Sequence, residues 1–410
     1  MPKEKLFIAR IVSQFYPKKG GSITHVIELI INMHPFFASQ LIISPDYDYD
    51  CSSFDKNFIA PIVRVKNEFI KSKLFKKVLG ASLINNLYYS YIAMGEIKKL
   101  ILNGHKIDLV YVHNMTLGLF SLLSSKILNL NIPVVIVHHH GSPFSSGDNR
   151  LRGRVHKLII LFLTYFLKPD HYIQLNDGVS DKMFLLFLSK IGVNYTIVNH
   201  AIDTSFYKSI NNNNNSINDD YIILSNHRLD SFKKVDLAIK SFKIFLDKIQ
   251  STTSTKKTYL KIVGSGPQLN ELKYLAKHLN IHKHVVFVGE VSSDEMVNEI
   301  ISSDVIIGTS LISNMNRSIQ EAMSCGKPVV IFGTPFENNL FKNMKNSIIV
   351  DFGNLDQFAD SLRLLFENKE LRDFIGKNAE LSIKLERNWA TRIDQELAIC
   401  AKIHSSSVNQ

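Results

Sequence analysis

YIILSNHRLDSFKKVDLAIKSFKIFLDK, residues 221–248, begins with a short apolar run, passes through a polar stretch rich in cations, and ends in an amphipathic segment of helical period. The pattern predicts a buried strand, a loop at its carboxyl end, and a helix that returns over the sheet. A strand buried on both faces reads as a continuous apolar run, as strands do in a parallel sheet covered by helices.

The unit recurs in both directions. Downstream, YLKIVGSG, HVVFVGEV, DVIIGTSL, PVVIFG and SIIVDF alternate with the helical segments QLNELKYLAKHL and SSDEMVNEIISS. Upstream, LFIARIVSQF, SQLIISP, DLVYVHN, PVVIVHHH, HYIQLN and YTIVNH alternate with THVIELIINM and GLFSLLSSKILN. Short apolar strands spaced by amphipathic helices predict an α/β protein with parallel sheets and helices on both faces. Between the halves lies SINNNNNSINDD, residues 209–220, whose five consecutive asparagines favour neither helix nor packed strand. The expected organisation is therefore a domain over 1–205, a linker or loop over 206–220 and a second domain over 221–388. After residue 355 the chain reads as helical to the end, and Trp389, the only tryptophan, starts the last helix, where core packing is its ordinary role.

Composition bounds the function. The 410 residues are 45% hydrophobic and 21% charged, the mark of a folded chain long enough for two cores. Cys51, Cys325 and Cys400 are far apart and lack metal-binding spacing, which fits a reduced, cytoplasmic setting. The start, MPKEKLFIARIVSQFY, lacks the long apolar region of a signal peptide. The longest apolar run, LIILFLTYFL at 158–167, is short of the roughly 20 residues a spanning helix needs and suits a buried or interfacial helix. Of the net charge of +11, residues 1–200 hold 23 Lys/Arg against 13 Asp/Glu, so +10 sits in the first half and +1 in the rest. An anionic surface would meet the first half. No nucleic-acid motif accompanies that charge, and a nucleic-acid partner is not expected.

Five stretches carry chemistry. In KKGGSITHV, 18–26, Gly20 and Gly21 precede a helix whose N-terminus suits a phosphate, although an ordinary strand-to-helix turn uses the same residues. GSGP, 264–267, lacks the third glycine and the distal acid of a dinucleotide fingerprint, so Gly264 reads as part of a tight turn with occasional nucleotide contact. In HRLDSFKKVD, 227–236, Arg228 and Lys233 lie at a strand's carboxyl end and can converge on a diphosphate, or else form a solvated charge cluster. HHHGSP, 138–143, alternates sides along a strand and has no acid nearby to complete a metal shell, which leaves one histidine to line a cleft.

The fifth stretch, SNMNRSIQEAMSCGKPVV at 313–330, follows the strand DVIIGTSL. Its polar start, Ser313, Asn314, Met315, Asn316 and Arg317, leads into a helix N-terminus whose amides suit phosphate oxygens. One turn in, the carboxylate of Glu321 suits two vicinal hydroxyls such as those of a ribose, although a lone glutamate in a helix is ordinarily a surface residue. Gly326, Lys327 and Pro328 end that helix.

The ordered set FYPKKGGSITHV, VVIVHHHGSP, NHAIDTSFY, NHRLDSFKKVDLAIKSF, LKIVGSGPQLNEL, VVFVGEVSSDEM, SSDVIIGTS and SIQEAMSCGKPVV resembles the retaining glycosyltransferases of family 4, which have the GT-B fold. The resemblance implies two Rossmann-like, doubly wound domains facing a cleft, with the acceptor on the N-terminal one and a nucleotide-sugar donor on the C-terminal one. It implies a last helix, 389–405, that packs back on the N-terminal domain. By position, Arg228 and Lys233 would grip the donor diphosphate, Gly21 would approach it, Glu321 would bind the ribose, and His140 would lie near the sugar and acceptor. Fixed cations and a helix N-terminus can stabilise a departing diphosphate without metal, so no metal or other cofactor is expected. Front-face attack, with a phosphate oxygen taking the acceptor's proton, needs no protein nucleophile.

Two positions depart from the family pattern. Ser313 stands where the first of two glutamates spaced eight apart is usual, and Lys234 stands where a glycine normally follows the lysine. The implied function is hexosyl transfer from a UDP- or GDP-sugar to a glycan or lipid-linked acceptor in bacterial surface polysaccharide assembly. The protein would be cytoplasmic, and the basic stretches 69–80 and 150–168 either give it peripheral contact to an anionic membrane or form ordinary helices with solvated faces. A non-catalytic sugar-nucleotide-binding or partner protein of the same fold is the alternative. An epimerase or a phosphorylase would keep the fold, but no pyridoxal-phosphate lysine site is identifiable.

Overall fold

The computed structural model describes residues 5–18, 21–47, 49–66, 81–138, 151–178, 182–203, 220–250, 256–334 and 340–408. The expected linker, apart from Asp220, and the basic stretch 69–80 lie outside these residues, as do Gly20 and His140.

The chain forms two compact units, one of residues 1–176, 180–200 and 390–410, the other of 177–179 and 201–389. In the first, seven strands, β1 (Phe7–Val12), β2 (Ser39–Pro45), β3 (Ile62–Val65), β4 (Leu109–His113), β5 (Val134–His138), β6 (His171–Asn176) and β7 (Tyr195–Asn199), form one sheet in the order β3-β2-β1-β4-β5-β6-β7. Every pairing is parallel. The intervening helices are α1 (Gly21–Met33), α2 (Ser52–Asn57), α3 (Ala81–Leu102), α4 (Met115–Ile127), α5 (Leu151–Leu167) and α6 (Lys182–Lys190).

The second unit repeats the plan with β8 (Tyr221–Asn226), β9 (Thr258–Val263), β10 (Val285–Gly289), β11 (Val305–Gly308), β12 (Val329–Phe332) and β13 (Ile348–Val350), all parallel, in the order β10-β9-β8-β11-β12-β13. Its helices are α7 (Val235–Ile249), α8 (Leu269–His278), α9 (Ser293–Ile301), α10 (Arg317–Ser324), α11 (Leu355–Glu367) and α12 (Lys369–Glu386). The opening stretch of sequence is β8, its loop and α7.

The strands' apolar runs are explained by burial on two sides. Tyr221 and Ile223 of β8, Val305 and Ile307 of β11, and Val330 and Phe332 of β12 join one core with Phe242, Phe245 and Phe358. The alternate residues Leu224, Ile306, Val329 and Ile331 join the opposite core with Ile319, Met323 and Ile383. Period-two alternation thus splits each strand between two apolar layers.

The last helix, α13 (Trp389–Val408), belongs from residue 390 to the first unit. Arg392 Nη1 donates to the Asn199 carbonyl at 2.9 Å, Tyr111 Oη lies 3.1 Å from Cys400 Sγ, and the buried Arg392 pairs with the buried Glu396. Trp389 is half-buried at its start. In the same unit the fully buried Arg10 donates Nε to Gln40 Oε1 at 2.8 Å, and burial pulls its pKa down.

Sequence reading passed over two short elements, β3 and α2. They occupy the sheet's edge, where Arg64 holds Asp55 by two nitrogens at 2.5 and 2.8 Å.

Candidate active site

In each unit the chain order reverses beside the first strand, between β1 and β4 and between β8 and β11. In open α/β sheets, ligands bind outside the carboxyl ends of the strands at such a switch point. In the second unit, the loops leaving β8 and β11 meet there.

The β8 loop begins at His227, buried and held by Nε2 against the Ile307 carbonyl at 3.2 Å. Burial lowers its pKa to about 3, helped by Lys233, so the ring is neutral and serves as a strut. Arg228 follows with its side chain 78% exposed and Nε 3.2 Å from Asp230 Oδ2. An exposed pair of this kind contributes little, so the guanidinium can exchange Asp230 for another anion. A single 3-10 turn, Ser231–Lys233, carries the chain to Lys234, whose φ of 52° and ψ of 39° lie in the left-handed region. That conformation explains why a glycine is usual there: a residue with a Cβ is held in αL at a cost of about 1 kcal/mol.

Lys233 lies between the two loops. Thr309 Oγ1 donates to its carbonyl at 2.9 Å, and Leu311 N–H donates to the Phe232 carbonyl at 2.9 Å. Its ammonium sits 5.3 Å from the centre of the Phe232 ring. Burial lowers its pKa; Asp230 and Asp177 oppose the shift and Arg228 adds to it. A desolvated ammonium near an exposed guanidinium is an arrangement that an incoming polyanion stabilises.

The GSG turn after β9 braces this loop. Gly264 has φ of 133°, and a Cβ there would meet the His227 carbonyl oxygen at 2.2 Å; a Cβ on Gly266 would meet the Leu229 carbonyl oxygen at 2.6 Å. Leu229 N–H donates to the Ser265 carbonyl at 2.9 Å. Close backbone approach is what requires glycine, consistent with the tight turn expected of this sequence.

The β11 loop holds the remaining candidates. The buried Asn314 accepts from Ser310 N–H at 3.0 Å and donates to the Phe332 carbonyl at 2.8 Å. Met315 is buried in the core below. The side chains of both shape the loop and are not presented to a ligand, because the apolar layer and the strand ends take them inward. Ser313 Oγ donates to the Asp177 carbonyl at 2.5 Å and accepts from Met315 N–H at 3.0 Å. Where the family has a glutamate, this chain has a hydroxyl that ties its loop to the Asp177–Gly178 turn. A Cβ on Gly178, whose φ is 84°, would meet Ser313 Oγ at 2.6 Å.

Asn316 caps α10, its Oδ1 accepting from Ile319 N–H at 3.2 Å. Its Nδ2 is buried without a partner among the described residues. Arg317 Nε donates to Glu321 Oε1 at 2.6 Å across one turn, with both side chains largely buried. The pair fixes the carboxylate's orientation and leaves Oε2 to accept hydroxyls. Gly326, at φ of 70°, terminates the helix as its sequence implied.

The structure therefore places Arg228, Lys233, Gly264, Ser313, Asn314, Met315, Asn316, Arg317 and Glu321 on the loops and helix that follow β8, β9 and β11. Gly21 opens α1 beyond β1 in the other unit. Two contributors escaped sequence reading. One is Asp177, whose signal was the Asp-Gly turn directly after HYIQLN. The other is Asn226, at the end of β8, whose Nδ2 lies 3.4 Å from the Ser318 carbonyl while its buried Oδ1 has no partner among the described residues. Among the described residues no three His, Cys, Asp or Glu side chains converge to hold a metal ion.

Two doubly wound parallel-sheet units, one with cations and a helix N-terminus gathered at its switch point, define the GT-B class. Residues 207–382 match the family model Glycosyl transferases group 1. An uncharacterized glycosyltransferase of Haemophilus influenzae is 31% identical over 150 residues, 36% of this chain and 40% of its own length. An Escherichia coli protein, UDP-Gal:alpha-D-GlcNAc-diphosphoundecaprenol alpha-1,3-galactosyltransferase, is 29% identical over 33% of this chain and 34% of its own length. The chain thus spans well under half the length of these curated relatives. Among solved structures, Anabaena Alr3699/HepE in complex with UDP superposes with a TM-score of 0.70 at 16% identity, covering 97% of this chain and 100% of that one. At that identity the likeness is one of fold.

Proposed function

We propose that the protein is a retaining, metal-independent glycosyltransferase of family 4 that moves a sugar from a UDP- or GDP-sugar to a glycan or lipid-linked acceptor in bacterial surface polysaccharide assembly, such as that of lipopolysaccharide, O-antigen or capsule. The observation that carries the reading is the desolvated Lys233 ammonium at the β8–β11 switch point, with the exposed Arg228 on the same loop. Departure of a nucleoside diphosphate builds charge on its phosphates, and Lys233, Arg228 and the α10 N-terminus stabilise that charge. Glu321, steadied by Arg317, accepts the ribose hydroxyls. A departing phosphate oxygen takes the acceptor's proton as the acceptor oxygen attacks from the same face, which retains the anomeric configuration. The names of relatives support the substrate class: the E. coli protein acts on a diphosphoundecaprenol-linked sugar, and the Anabaena protein binds UDP. A lipid-linked acceptor places the work at the inner face of the cytoplasmic membrane.

A thermal-shift or mass-spectrometric screen against UDP- and GDP-sugars tests this. At least one nucleotide sugar should bind and raise the melting temperature, and Arg228→Ala should abolish turnover with it. Absence of any nucleotide-sugar binding overturns the reading.

The Ser313 hydroxyl, held by Asp177 and Met315, favours a second reading in which a GT-B protein binds sugar nucleotides or a partner without catalysis. In that case Arg228→Ala would leave the cellular role intact.

A further inference from the structure

Helix α5 is apolar on its inner and its outer face, and Leu161, Leu163 and Leu167 pack with Ile160 on the core of the sheet. The stripe facing the protein includes Ile160 and Thr164, both buried, and Thr164 must satisfy its hydroxyl on the Ile160 carbonyl at 2.7 Å. The opposite stripe, one face at helical spacing, carries Leu158, Phe162, Tyr165 and Phe166, which remain 64%, 63%, 53% and 60% exposed. Their rings already contact one another, Phe162 and Phe166 at 4.6 Å between centres and Tyr165 and Phe166 at 5.2 Å. The connections β4–α4–β5–α5–β6–α6–β7 run one way along the sheet, so right-handed crossovers put α5 and α6 side by side on the same face. Helix α6 adds the exposed Met183 and Leu186. An exposed apolar cluster such as that of α5 marks an interaction surface.

The charges name the partner. Helices α5 and α6 contain five Lys/Arg, at 152, 154, 157, 182 and 190, and no Asp or Glu. Arg154 is exposed on the same stripe as Leu158, and Lys168 follows the helix C-terminus. A twofold contact between copies of the chain would set these like charges against themselves. An anionic bilayer complements them: aromatic and aliphatic side chains enter the acyl boundary while the cations remain among the headgroups. Among the described residues no helix is long and apolar enough to cross a membrane. We infer that the α5–α6 face docks in the plane of an anionic lipid surface, with Phe162 and Phe166 as its inserted anchors.

Flotation with vesicles tests this in the absence of sugar nucleotide and acceptor, so its outcome is independent of the glycosyl-transfer reading. The full chain should float with vesicles containing phosphatidylglycerol and stay behind with pure phosphatidylcholine. A Phe162→Ser/Phe166→Ser variant, folded because both rings are exposed, should lose recovery by about tenfold or more. Arg154→Ser should weaken recovery at low salt and have little effect at high salt. Equal recovery of the double variant and the parent, or no recovery of the parent on anionic vesicles, overturns the inference. So does a parent that elutes as a dimer which the double variant converts to monomer, since the face would then be covered by a second copy.

Discussion

Arg317 Nε lies 2.6 Å from Glu321 Oε1, one helical turn apart at the start of α10. The arginine sits in the first turn, where the helix's partial positive charge disfavours a cation, and Glu321 offsets that cost. Replacing Arg317 with Met should free the carboxylate from its fixed orientation. Isothermal titration should then show donor nucleotide binding weakened by about tenfold, with stability changed by less than about 1 kcal/mol. Glu321→Gln, which keeps shape and loses charge, should weaken binding further; unchanged affinity in both variants would remove Glu321 from the site.

Lys233 makes the loop a poorer scaffold and a better anion site. Its pKa is lowered by burial, so between its folded value and 10.5 the unfolded chain binds more protons, and the stability lost at lower pH returns as pH rises. Lys233→Met should therefore raise stability by up to about 1 kcal/mol while reducing turnover by about 100-fold or more. Urea denaturation beside a kinetic assay reads both.

Lys234 supplies a backbone test. Held at φ of 52°, it should be improved by Lys234→Gly, which gains about 1 kcal/mol from relief of αL strain against a smaller entropic loss, and worsened by Lys234→Val. Chemical denaturation midpoints in the order Gly, Lys, Val are the expected result.

Gly264→Ala should destabilise the second unit by about 3 kcal/mol, because the new Cβ meets the His227 carbonyl oxygen at 2.2 Å and the φ of 133° excludes it. A melting temperature within a degree of the parent would show that the turn can shift.

His227 sets an acid limit. Its folded pKa of about 3 lies below the unfolded 6.5, so its neutral burial is free of cost above 6.5 and increasingly costly as pH falls toward 3. At pH 5 that penalty is of the order of 2 kcal/mol. Burial lowers His171 to about 4, which acts in the same direction. Stability measured at pH 7 and pH 5 should fall accordingly, and His227→Gln should flatten part of the slope.

The sequence by itself determined the alternation of buried strands and amphipathic helices, because a strand covered on both faces must be apolar throughout, as YIILSN and DVIIG are. It also singled out Arg228, Lys233 and Glu321 as candidate donor contacts through the motifs that resemble the family's, since each residue by itself reads equally as a surface charge. Composition could not tell which polar side chains turn inward. Asn314 and Ser313 read as ligand contacts, yet the first ties two strand ends together and the second holds the Asp177 turn, through hydrogen bonds between segments 18 and 136 residues apart. The run LIILFLTYFL was equally ambiguous. A one-dimensional pattern counts apolar residues, whereas only packing on the sheet decided that Ile160 and Thr164 face inward and Phe162 and Phe166 face out.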